Sequence, residues 1–164
     1  MGCCGSVCCG HHPRDTERPL TPIEKLKAIC DKTVLDHGLA PHDGKTYCNV
    51  ACRQISEGMG YAGISDKLLA NDIITLLSTA ENWKEVSVVH AHAHALLGGL
   101  AFVAVSEKPH GHIAAVYPAP MQDSGSWGAK VPMLANVGKT NGVMKLSGVF
   151  RVAQRPVLRA FIYG

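Results

Sequence analysis

Leu96-Leu97-Gly98-Gly99-Leu100-Ala101-Phe102-Val103-Ala104-Val105 marks the point where the pattern of this chain changes. Before it, apolar residues recur at helical spacing. From Leu100 onward they come in short continuous runs, and Gly111-His112-Ile113-Ala114-Ala115-Val116 follows after the turn residues Pro109-His110-Gly111. The first run is interrupted by two glycines and falls well short of the roughly 18 apolar residues a membrane helix needs. It reads as a helix end followed by a buried strand.

Working back from this junction, four helices are expected. Thr21-Pro22-Ile23-Glu24 has the residues of a capping box, with Thr21 as N-cap and Pro22 in the first turn. Ile23, Leu26, Ile29, Cys30 and Val34 then form one apolar stripe, and Gly38 is the expected terminator. After the Asp43-Gly44 turn, Cys48, Ala51, Cys52, Ile55 and Met59 define the buried face of a second helix, ended by Gly58 and Gly60. A third runs from Asn71, the expected N-cap, to Thr79, with Ile73, Leu76 and Leu77 inward. Ser87 caps a fourth over Val88–Leu97.

Working forward, strands are expected over Leu100–Val105, His112–Tyr117, Met133–Val137, Val143–Val152 and Val157–Tyr163, joined by Gly-, Asn- and Pro-rich turns. Helices first and strands afterwards, with short connections, predict an α+β fold: N-terminal helices packed on a mostly antiparallel sheet. Residues 1–20 have no periodicity and read as a flexible Cys/His-rich tail, leaving residues 21–164 as a single domain.

Composition narrows the function. The chain has 164 residues, 46% hydrophobic and 18% charged, with a net charge of +3. That is an ordinary globular composition, and the charge bias is too weak to argue for nucleic acid. At 5% aromatic residues a base-stacking platform is not expected either. The first twenty residues lack the apolar segment of a secretory signal, so synthesis in the cytoplasm and export by a dedicated route are expected.

Seven cysteines are unevenly spread: Cys3, Cys4, Cys8 and Cys9 in the tail, and Cys30, Cys48 and Cys52 in the domain. This is not the spacing of a disulfide framework. Cys8-Cys9 with His11-His12 supplies donors that suit zinc or copper, without the spaced second half of a structural site. Met1-Gly2-Cys3-Cys4-Gly5-Ser6 fits an N-myristoylation pattern with palmitoylatable cysteines. His90-Ala91-His92-Ala93-His94 invites a metal reading. On a helix, however, only His90 and His94 share a face, and position 91 lacks the Glu of the zinc-protease helix. Neither a metal nor a cofactor is assigned.

Cys48 carries the strongest chemical signal. A cysteine on a buried helical face is most often a small core hydrophobe, and Cys52, one turn deeper, reads that way. Cys48 differs because it opens the helix after the polar loop Gly44-Lys45-Thr46-Tyr47. There the positive end of the helix dipole is expected to lower the thiol pKa. A histidine delivered by the fold would complete a nucleophile–base pair. His112 is the candidate, entering a strand where its orientation is fixed, with Gly111 expected to leave room beside the ring; His110, in the turn, is its rival.

With these residues in place the chain resembles the NlpC/P60- and CHAP-like cysteine amidases, and within them a family of type VI secretion amidase effectors. The resemblance runs from about Gly44 to the C-terminus. It rests on Cys48-Asn49, Ala70-Asn71-Asp72-Ile73, the strand Leu100–Val105, Gly111-His112-Ile113-Ala114-Ala115-Val116, Trp127-Gly128, Val137-Gly138 with Gly142, and Tyr163. It implies a papain-like core and hydrolysis of an amide in the peptidoglycan stem peptide, typically the γ-D-glutamyl–diaminopimelate bond. Cys48 would be the nucleophile, with its backbone N–H as an oxyanion donor, His112 the base and Asn136 the candidate third polar residue. It further implies a monomeric antibacterial effector that acts in the periplasm of a target cell and is met by an immunity protein in its producer. A phage or autolytic cell-wall hydrolase of the same chemistry is the alternative. A metal-binding or redox module built on the Cys/His clusters is the alternative of another class.

Overall fold

The computed structural model describes residues 18–164. Helix α1 (Pro22–Val34) starts with the capping box its sequence predicts: the Thr21 hydroxyl accepts from the Glu24 N–H, and the Glu24 carboxylate accepts from the Thr21 N–H at 2.9 Å. Arg18 also bonds the Glu24 carboxylate. The helix ends at Val34, before Gly38, which lies instead in a single 3-10 turn (His37–Leu39) capped by the Asp36 carboxylate. An acidic side chain two residues before Gly38 captures its N–H at 2.8 Å and forms a turn of its own.

Helix α2 (Cys48–Gly58) and helix α3 (Ala70–Thr79) follow. Helix α3 starts one residue earlier than expected. Its first turn is closed by Asp72, whose carboxylate accepts from the Leu69 N–H at 3.0 Å. Asn71 is therefore not the cap. Its amide instead donates to the Glu107 carbonyl and accepts from the Ser106 hydroxyl, tying α3 to a distant turn.

A strand not expected from the sequence, β1 (Trp83–Val86), precedes helix α4 (Val88–Leu96), which is capped by Ser87. Then come β2 (Ala101–Val105), β3 (His112–Val116), a small hairpin of β4 (Gln122–Ser124) and β5 (Ala129–Val131), β6 (Met133–Asn136) and β7 (Gly142–Lys145). The expected strand over Val143–Val152 breaks after Lys145. The short helix α5 (Leu146–Val149) and a 3-10 segment (Val152–Val157) take its place before β8 (Arg159–Tyr163). Leu146 and Phe150, at either end of this short helix, are both buried in the core.

Six strands form one sheet in the order β1-β8-β2-β3-β6-β7, every neighbour antiparallel. The fold is thus α+β with a mostly antiparallel sheet, as its sequence predicts. Every residue of β2 is buried, so this central strand is covered on both faces, the reason for its uninterrupted apolar run. Phe102 of β2 faces Phe161 of β8 across the ladder, both without exposed surface. Burying each side chain contributes roughly 1.5–3 kcal/mol. At the sheet edge Trp83, Tyr61 and Tyr163 pack edge-on or tilted with centroids 5.0–5.4 Å apart, which helps a strand of four residues hold there. Helix α2 lies against β3, and this contact positions the site.

A candidate Cys–His–Asn catalytic site

Helix α2 begins at Cys48 because the chain before it is turn-forming: Asp43 and Gly44 both have positive φ. The N-cap residue, Tyr47, makes no side-chain capping bond. The first N–H groups of α2 are therefore left without the oxygen that usually satisfies them. Instead, the backbone N–H groups of Ile113, Asn49 and Cys48 itself act on the Cys48 sulfur and favour its thiolate. Burial opposes them and wins. Cys48 is 7% exposed, and its thiol sits above its ordinary value near 9. This corrects the expectation of a lowered pKa, since the loss of hydration outweighs a helix terminus.

The involvement of Ile113 brings β3 to the sulfur. The β3–β6 ladder consists of the pairs Ala115↔Ala135 and Val116↔Leu134, so β3 runs on past it toward Cys48 at its His112 end. His112, one residue from Ile113, is half-buried and packs its ring against Phe150 at 5.6 Å. Its Nε2 lies 2.7 Å from Asn136 Oδ1.

The tautomer follows from the network. Asn136 Nδ2 donates to the Thr140 carbonyl at 2.6 Å, an oxygen that only accepts. This fixes the amide with Oδ1 toward the imidazole. Nε2 must then carry the proton, leaving Nδ1 as the basic nitrogen. Burial holds the imidazole below its usual value, with the Asn136 bond acting in the other direction. Asn136 is only 5% exposed and keeps this geometry because the turn after it is itself anchored. Gly138 donates to Asn141 Oδ1 at 3.0 Å, and Asn141 Nδ2 donates to the Leu39 carbonyl at 2.9 Å, across 102 residues of sequence.

Gly138 sits against the imidazole: a Cβ there would lie 3.2 Å from His112 Cε1. Gly111 has a different job from the one its sequence suggests. A Cβ on Gly111 would come within 2.2 Å of Asn71 Oδ1 and 2.6 Å of the Val105 carbonyl. It permits close packing of β3 against α3 and the β2 end, rather than space beside the ring.

His112 and Asn136 open onto a cleft of about 360 Å³ whose walls include Thr46, His110, Lys139, Met144 and Val149. Cys48 does not line it; Thr46, two residues upstream, does. A larger cleft of about 790 Å³ lies by Ile29, Asp36, His37 and Gln54 and contains none of the three site residues. The rival histidine, His110, is exposed and also lines the smaller cleft.

The remaining candidates separate. Cys52 is 2% exposed, its thiol pushed well above its ordinary value by burial, and it belongs to the core. Cys30, also fully buried, is pushed up to about 12 for the same reason. In the histidine run, His92 is buried and its Nε2 meets the Ala119 carbonyl at 2.8 Å, while His90 is exposed. Among the described residues no three His, Cys, Asp or Glu side chains gather closely enough to hold a metal ion. The tail residues Cys3, Cys4, Cys8, Cys9, His11 and His12 lie outside the described residues.

Asn136 is the residue whose role the sequence marked least. A thiol at a helix start, an imidazole on an adjacent strand and an amide fixing the ring's N–H are together the parts of a nucleophile, its base and the group orienting that base. No protein-family model matches this chain, and no curated protein matches it.

Proposed function

We propose that this protein is a cysteine amidase with a papain-like catalytic core that cleaves an amide in the stem peptide of peptidoglycan. The observation that supports the proposal is the His112–Asn136 pair on β3 and β6, with the N–H of Ile113, the residue after His112, acting on the Cys48 sulfur at the start of α2. The substrate class comes from the sequence resemblance to secreted amidase effectors, as do the setting and the partner. In this reading the enzyme is a monomer delivered to the periplasm of a competing cell. Its producer protects itself with a cognate immunity protein. Among the described residues no helix is long and apolar enough to cross a membrane.

The chemistry begins from a neutral pair. Burial raises the Cys48 thiol and lowers the His112 imidazole, so both shifts favour SH beside neutral imidazole over thiolate beside imidazolium. As the sulfur attacks the amide carbon, His112 Nδ1 takes the thiol proton. Asn136 stabilises the imidazolium by accepting from Nε2–H. The carbonyl oxygen becomes an oxyanion at the uncapped start of α2, where the Cys48 N–H is a donor. One such donor is worth about 3 kcal/mol of barrier. Collapse of the tetrahedral intermediate breaks the C–N bond, and the imidazolium proton leaves with the amine. Water, deprotonated by Nδ1, then attacks the thioester, releasing the acid and regenerating the thiol.

The direct test is turnover of purified muropeptides by the wild-type protein and by Cys48→Ala, with products identified by mass spectrometry. Loss of cleavage in the variant, with the wild type releasing a product at one stem-peptide amide, is expected. Equal turnover by the two proteins would remove the nucleophile assignment.

A further inference from the structure

The cleft that holds the His112 edge carries a charge pattern independent of the catalytic groups. Its walls include Lys139, exposed on the turn between β6 and β7, and His110, while no aspartate or glutamate lines it. Lys139 forms no ion pair among the described residues. The turn that presents it is held firmly on both sides. Gly138 bonds the Asn141 side chain, and the Thr140 carbonyl receives the Asn136 amide that orients the imidazole. A cation is thus mounted on the same short turn that fixes the base, next to a wall of Met144 and Val149.

We propose that Lys139 is a specificity-determining residue that binds a free carboxylate lying beside the scissile amide, with Met144 and Val149 receiving an aliphatic side chain. The inference rests on the amidase reading for the identity of the reacting bond, but the recognition it describes is a binding property. An ammonium in a cleft free of carboxylates attracts an anionic group and disfavours the same peptide when that group is neutral. Because Lys139 is solvent-exposed, the discrimination is modest: about threefold to fivefold in affinity, the range of a single exposed ion pair. It should shrink as ionic strength rises.

The test uses two synthetic peptides, L-Ala-γ-D-Glu-L-Lys with its D-Glu α-carboxylate free and the same peptide with that group amidated. Each is titrated calorimetrically against Cys48→Ala and against Cys48→Ala carrying Lys139→Met or Lys139→Arg. Tighter binding of the free carboxylate, lost in the Met variant and kept in the Arg variant, is the expected result. Equal affinity for the two peptides, a preference that survives Lys139→Met, or no binding of either peptide would overturn the role of Lys139. Turnover of the free-carboxylate peptide by the wild type is measured separately. Discrimination without turnover would sink the amidase reading and leave the carboxylate site standing. Turnover without discrimination would do the reverse.

Discussion

His112 Nε2 and Asn136 Oδ1 meet at 2.7 Å although 24 residues separate them in the chain. The contact exists because β3 and β6 are neighbours in the sheet and because the Thr140 carbonyl holds the far side of the Asn136 amide. It dictates which imidazole nitrogen is basic.

Asn136→Ala removes the acceptor that selects the Nε2–H tautomer. In this reading kcat falls about tenfold to a hundredfold with KM little changed, because the base is mis-set while the cleft walls stay in place. Nitrogen NMR of the His112 ring supplies the distinguishing readout, as the Nε2–H form should lose its dominance. An unchanged rate with an unchanged tautomer would exclude a positioning role.

The pH profile tests the neutral pair. His112 is held below 6.5 by burial, so kcat/KM should rise with pH through a value lower than 6.5 and then stay level toward the raised Cys48 thiol. An acid limb centred above 6.5 would contradict it. Stability carries the same sign. The unfolded chain binds a proton at His112 more readily than the folded one, so the stabilisation is full above 6.5 and is lost as pH falls through the lower folded value. The slope is at most about 1.4 kcal/mol per pH unit for this one group. Urea melts at several pH values on wild type and His112→Gln isolate it.

Thiol reactivity should follow burial. Cys48 retains 7% exposure and backbone N–H donors, whereas Cys30 is fully buried with its thiol pushed up to about 12, and Cys52 is pushed well above its ordinary value. Iodoacetamide at mildly alkaline pH should modify Cys48 first among these three, as read by peptide mass spectrometry. Modification of Cys30 or Cys52 ahead of Cys48 in the folded protein would run against the geometry.

Two glycine substitutions should separate stability from catalysis. Gly111→Ala places a methyl 2.2 Å from Asn71 Oδ1 and 2.6 Å from the Val105 carbonyl. Overpacking of this kind costs about 1–3 kcal/mol in a denaturant melt. Gly138→Ala meets His112 Cε1 at 3.2 Å, a contact the ring can relieve by a small shift. Its melt should change less than that of Gly111→Ala. Its kcat should fall about threefold to tenfold because a displaced base loses near-attack geometry.

Much of this arrangement was legible one residue at a time. The Thr21–Glu24 box, the Ser87 cap and the helical stripe from Cys48 to Ile55 are local codes, and each formed as its spacing predicts. Trp83–Val86 was not legible as a strand, because its stability comes from β8 and from aromatic rings far along the chain. Gly111 showed only that something small was needed. What it makes room for, Asn71 and the Val105 carbonyl, is a matter of packing between elements.

The sequence by itself determined helices α1 to α4 and strands β2, β3, β6 and β8, since caps, turns and the switch from helical to strand periodicity act over a few residues. It also singled out the thiol at a helix start. Only the tertiary structure decided that this thiol is held above its ordinary pKa, because desolvation depends on everything packed around it. The same is true of the imidazole: its neighbour Asn136, its basic nitrogen and the cation beside its cleft come from strand pairing and a turn anchored to Leu39, contacts that no local pattern encodes.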